Sequence, residues 1–178
     1  MHPSHRLARP AMTRLRPVRL LNLLAVVVPL LACGAARADD ASDCQAAAGT
    51  WLAGVVLTDP SFQHGSHLRG IELSHTHLQL KGDADAKTYD IAVDDVFASG
   101  YKPRKEVVPP PLDAIKPGDR LSLCGIPYTG GMHWVHTNCG DTPTAQDPNG
   151  WLKEIAADGT DGPNLEGSTT YCYLWPRK

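Results

Sequence analysis

Motifs that carry chemistry are scarce in this chain of 178 residues. No serine stands in a G-x-S-x-G elbow, which excludes the usual strand-to-helix nucleophile. No glycine-rich loop of the phosphate-cradling kind is present. No C-x-x-C spacing occurs, so the thiolate zinc sites built on it are excluded. Asp83, Asp85, Asp94 and Asp95 lack the spacing of an EF-hand loop. Beyond Leu31 no apolar run is long enough to cross a bilayer as a helix, which takes about 20 residues. Basic residues are also thin there, and a nucleic-acid binder needs a basic stripe. Only Lys102, Arg104 and Lys105 cluster, as in a solvated loop.

What is present begins with the marks of export. Arg14, Arg16 and Arg19 precede an apolar run, Leu20 to Leu31, broken only by Asn22 and Pro29. Ala36-Arg37-Ala38 then forms an A-x-A site before Asp39. The pattern predicts a signal peptide over residues 1–38, with Met12 as an alternative start, and one domain over residues 39–178. A second reading is a lipoprotein box, Leu30-Leu31-Ala32-Cys33-Gly34, with Cys33 acylated. The leader holds six of the 17 basic residues and none of the 19 acidic ones, so the mature part carries a net charge of −8. Export to the periplasm or outside the cell is the expected localisation.

Cleavage after Ala38 leaves Cys44, Cys124, Cys139 and Cys172. An even count in an exported domain reads as two disulfides and leaves no thiol nucleophile. Three pairings are open, and Cys44 with Cys172 is favoured because it clips the two ends together.

The periodicity is mostly that of strands. A short helix is expected over Ser42 to Ala48, capped by Ser42 or Asp43. Strands are expected over Trp51 to Leu57, Ile71 to Leu80 with a bulge near Ser74, and Tyr89 to Val93. Further strands are expected over Arg120 to Ile126, Met132 to Thr137, Trp151 to Ile155 and Tyr171 to Trp175. Val107 to Pro111 is too proline-rich for a sheet, and Gly140 to Gly150 is a polar loop. Short strands between glycine and proline turns predict an all-β fold, a small barrel or sandwich. Lys116-Pro117-Gly118-Asp119 feeding Leu121-x-Leu123-x-Gly125 favours a barrel like those that bind oligonucleotides and oligosaccharides (OB).

Gly118-Asp119, Gly125-x-x-Tyr128, Gly130-Gly131, His133-Trp134-x-His136 and Gly150-Trp151-Leu152-Lys153 together resemble a family of small exported bacterial proteins, domain of unknown function 3465. The resemblance covers residues 112–155, with fainter similarity back to Trp51. The chain departs from it in its cysteines, its longer loop Thr137 to Asn149, the lack of a histidine in Tyr89 to Val93, and the tail from Asp158. The resemblance implies an OB-like barrel and no particular activity.

Histidines are the remaining lead. His75 and His77 share a strand face, so both can reach one ligand; with one of His64, His67, His133 or His136 they are weak candidates for a zinc site. His133 and His136 differ by an odd number and should face opposite sides of a regular strand. Asp141 is close to His136 in sequence, and such a pair orients a general base; His133 is a further catalytic candidate. Tyr128, Trp134, His136 and Trp151 are the candidate ligand-binding residues, although a tryptophan in a small β-domain is more often core. The expected function is a binding or interaction module whose ligand is a small molecule, a glycan or a protein. The alternatives are a metal-assisted hydrolase using the histidine cluster, and an envelope component anchored through Cys33.

Overall fold

The computed structural model describes residues 35–175. Arg14, Arg16, Arg19, the apolar run Leu20 to Leu31 and Cys33, which carry the expected leader and lipoprotein box, lie outside them. The elements are one helix, α1 (Ala35–Ala46), and seven strands: β1 (Thr50–Val56), β2 (Ser61–Leu68), β3 (Ile71–Gly82), β4 (Thr88–Asp94), β5 (Arg120–Tyr128), β6 (Gly131–His133) and β7 (Trp151–Glu154). Single 3-10 turns occupy Asp95–Phe97, Leu112–Ala114 and Cys172–Leu174.

Five strands close on themselves in the order β1-β3-β4-β6-β5 and back to β1. Every contact around the ring is antiparallel except β4 with β6, which is parallel. This is the small, disulfide-bonded, OB-like all-β barrel that the sequence predicts. Two strands extend it. β2 pairs with β3 over residues 71–77, and β1 takes the end of β3 from Leu80. On the far side of β5, β6 pairs with residues 126–128 and β7 with residues 121–124.

The alternation read from β5 explains the core. Leu52, Leu123 and Leu152 stand in one row across β1, β5 and β7, and their side chains fill the barrel with Leu78, Leu80, Ile91, Val93 and Val135. At Gly125 a Cβ would run into the His133 carbonyl, so only glycine lets β6 cross β5 this closely. Gly130 has φ of +87° in the turn between these strands.

The other face of β5 is also buried, because α1 lies over it. Trp51, Cys124 and Trp151 form its row, next to Ala53, Ser122 and Lys153. Ser122 Oγ donates to Asp40, and Cys124 is bonded to Cys44. The second disulfide is Cys139–Cys172. The favoured Cys44–Cys172 clip is therefore wrong. Strand parity aims Cys124 outward at the helix that carries Cys44, while Cys139 lies beyond a bend, beside the C-terminal segment.

Other expectations need correction. α1 starts earlier than Ser42, so Ser42 and Asp43 lie inside it and cap nothing; the Ser42 hydroxyl donates back to the Asp39 carbonyl at 2.8 Å. The helix stops where Ala48 turns left-handed (φ 62°) and the Gly49 N–H reaches the Cys44 carbonyl at 2.9 Å. The expected bulge lies in β2, between Gln63 and Ser66, not in β3 at Ser74. β3 stays regular because the Ser74 and Thr76 hydroxyls, although turned inward, donate to Asp95 at 2.7 and 2.6 Å. Residues 61–68, where no strand is expected from the sequence, form β2. Tyr171 to Trp175 is a 3-10 turn, not a strand. The C-terminal tail is part of the fold: Ser168 bonds the Phe97 carbonyl, and Leu174 and Glu166 are buried.

Candidate site on the outer face of the barrel

On β3 and β4, side chains alternate between core and outside. The inward set leaves His75, His77, Asp90 and Asp94 on the outer face. His75 is opposite Asp94 in the register, and its Nε2 lies 3.1 Å from Asp94 Oδ1. His77 Nδ1 lies 3.1 Å from Asp90 Oδ2. The two rings are 6.3 Å apart, so they share a face, as predicted, but each is directed to its own carboxylate.

β6 brings the second pair of histidines, and here strand parity fails. β6 ends at His133 because Trp134 turns left-handed, with φ of 55°. The kink inserts one step, so Met132 and Val135 both point into the core. His133 and His136 therefore fall on the same side rather than on opposite ones. His136 Nε2 lies 3.5 Å from Asp94 Oδ2, and the Trp134 ring sits 5.9 Å from His133 and 6.1 Å from His136. Asp94 is thus shared by His75 and His136, with His133 nearby.

Asp141 does not orient His136. The acidic partner of His136 is Asp94, and its Nδ1 donates to the Thr137 carbonyl at 2.8 Å. Its ring is buried, stacked on Phe97 at 3.9 Å and 7°, and Phe97 is stacked in turn on Trp175. His136 is therefore a wall of the site, not an accessible base. Tyr128 closes the far end. It donates to Asp90 Oδ2 at 2.5 Å and packs edge-on against His133 at 5.6 Å.

Charge differs along this face. The hydrogen bond to Asp94 raises the His75 pKa against the effect of burial. Burial disfavours the Asp94 carboxylate, but His75 and the neighbouring histidines outweigh it and hold Asp94 below its ordinary range. His133 is pushed down by burial and stays neutral more readily. Burial, with the Asp90 carboxylate beside it, raises the Tyr128 phenol. The result is one imidazole that favours its cation, one that favours the neutral ring, and two fixed carboxylates.

Sequence reasoning missed the layer beneath. Asp94 and Asp95 are adjacent yet diverge: Asp94 faces the histidines, while Asp95 is buried with Ser74 and Thr76. Alternation along β4 is the signal that separates them. Glu166 is fully buried, and neither carboxyl oxygen has a hydrogen-bond partner. Nothing in the sequence around Glu166 marks it, because its burial depends on how the C-terminal segment packs.

The candidate ligand-binding residues divide. Tyr128, Trp134 and His136 belong to this face, whereas Trp151 stands on β7 under α1, with Lys153 Nζ 4.6 Å from its ring centroid. The zinc candidates His75 and His77 gain no third ligand: among the described residues no group of three His, Cys, Asp or Glu side chains is arranged to hold a metal ion. Among them, too, no helix is long and apolar enough to cross a membrane. Compared with family models, with curated proteins and with solved structures, the chain matches none.

Proposed function

We propose that this chain is a small exported binding module whose recognition surface is the outer face of β3, β4 and β6. One observation carries the reading. Half-exposed His75, His77, Asp90, Asp94 and His133 form a row with the exposed Tyr128 beside Trp134. Polar side chains so interlinked on the outside of a barrel do nothing for its core. In OB-like barrels the face of the second and third barrel strands, here β3 and β4, is a general place for ligands. Aromatic rings beside a few fixed polar groups are the usual lining of a small-ligand site.

The fixed acceptors here are carboxylates, so the favoured ligand presents hydrogen-bond donors and an apolar edge to Trp134. The two disulfides support export, as cytosolic thiols are kept reduced. Cleavage after Ala38 and membership of the domain of unknown function 3465 family belong to the same proposal; the G-D turn, the G-G turn and the H-W-x-H segment support the second. The test is a fragment screen by ligand-observed NMR on protein exported from the full chain. Fragments bearing amine or amide donors are expected to bind, and Trp134→Ala is expected to weaken them about tenfold. Unchanged affinity in that variant removes the proposed surface.

A further inference from the structure

The leftover tryptophan lines a groove of its own, of about 480 Å³, between the end of α1, the start of β7 and the C-terminal segment. That size lies within the roughly 300–1,000 Å³ of small-molecule sites. Trp151 forms one wall. Ala46 at the end of α1 and Ala47 after it, with Gly150 and Gly167, leave the space beside it open, and Thr137, Asn149, Asn164 and Asp43 supply the polar edge.

Carboxylates outnumber the one cation of the groove. Lys153 Nζ lies 3.0 Å from Asp40 and 3.2 Å from Asp161, so its charge is already neutralised. The polar edge is made chiefly of amides and a hydroxyl. Asn149 is exposed; its Oδ1 accepts from Thr137 Oγ1 at 3.3 Å and from the Asn138 N–H at 3.2 Å, which directs its amide donors elsewhere. Asn164 Oδ1 is held by the Leu152 and Glu166 N–H groups at 3.1 and 3.0 Å. The indole Nε1 of Trp151 is buried with no partner in the protein.

The walls are fixed in place. Cys44–Cys124 and the Asp40 contacts to Ser122 and Lys153 pin α1 to the barrel. The Leu165 N–H bonds the Leu152 carbonyl at 2.8 Å and seats the opposite wall. A preformed groove loses little on binding to the ordering of its own side chains.

We infer that this groove binds a neutral saccharide, with a sugar ring against Trp151 and hydroxyls on Asn149 and Thr137. An aromatic wall edged by amides and offering no free cation suits a ligand that has apolar C–H faces and many hydroxyls. An anionic ligand finds no free cation here, and a cationic one finds only the exposed Asp43. The site is separate from the β3–β4–β6 face, so either can fail without the other.

The experiment is an NMR titration of protein exported from the full chain, following the indole resonances, with cellotetraose, maltotetraose and N-acetylchitotetraose as probes. Trp151→Phe identifies the Trp151 signal by its loss. The expected result is a saturable shift of that signal with at least one probe. Gly167→Phe should abolish it and Asn149→Ala should weaken it at least fivefold. Gly167 is exposed, lines the groove and has no contact nearer than 3.4 Å for a Cβ, so a side chain can be added there at the groove's edge. No shift with any probe at 20 mM (an upper concentration on the order of weak saccharide affinities) overturns the inference. So does binding that survives Gly167→Phe.

Discussion

Glu166 is the residue with the largest consequence for stability. Burial, with Asp94 and Asp95 nearby, raises its pKa well above the ordinary 4.5, so the folded state keeps a proton that the unfolded chain releases. The resulting cost is absent below pH 4.5 and grows as the pH rises above that value. Glu166→Gln should be more stable than the parent by about 1–3 kcal/mol at pH 7.5 and closer to it at pH 4.5. Urea unfolding at the two pH values checks this; an equal difference at both refutes it. His75 gives a pH dependence of the same sign, by losing a favourable contact rather than by gaining a cost. Its pKa is raised by Asp94, so its contribution is full below 6.5 and is lost as pH rises through the folded value. Asp94 is held low, so it must remain ionised for the pair to count, which sets the acid limit. With a third of the His75 side chain exposed, His75→Gln should cost about 0.5 kcal/mol at pH 6 and less at pH 8.5. The same denaturation series reads it.

At the scale of elements, the two disulfides should have separable roles. Each closes a loop worth roughly 4 kcal/mol in the chain-entropy picture. Replacing Cys139 and Cys172 by serine should free the C-terminal segment first and uncover Phe97 and His136. Replacing Cys44 and Cys124 should instead loosen α1 from β5. Amide exchange resolves the two: faster exchange confined to residues 160–175 in the first variant, and to residues 39–50 in the second, is the expected outcome. Non-reducing peptide mapping that joins Cys44 to Cys172 refutes the assignment outright. The sequence pattern showed some of these elements and hid others for physical reasons. β5 was legible because Leu121 and Leu123 alternate with Ser122 and Cys124. β2 was not, because it is bonded to β3 alone and is half-exposed or exposed throughout, which leaves no apolar period to read. The end of β6 was hidden because nothing in the pattern marks Trp134 as left-handed, and that one dihedral brings His133 and His136 to one side.

For the whole molecule, the barrel followed from turns and alternation, whereas the site required the sheet's closure. Asp94 and His136 are far apart in the chain and meet only because β6 runs parallel beside β4. Nearness in sequence therefore misassigned His136 to Asp141, and parity within one segment split it from His133. Because the closed core depends on the row through Leu52, Leu123 and Leu152, Leu123→Ala should cost about 2–5 kcal/mol and lower the thermal midpoint. The recognition claim is tested most directly by chemical-shift mapping of protein exported from the full chain, with the best donor-bearing fragment titrated in and the histidine side chains observed. The account predicts shifts concentrated on His75, His77, His133, Tyr128 and Trp134, with β7 and α1 little changed. Shifts that avoid these residues and fall elsewhere on the barrel would contradict it.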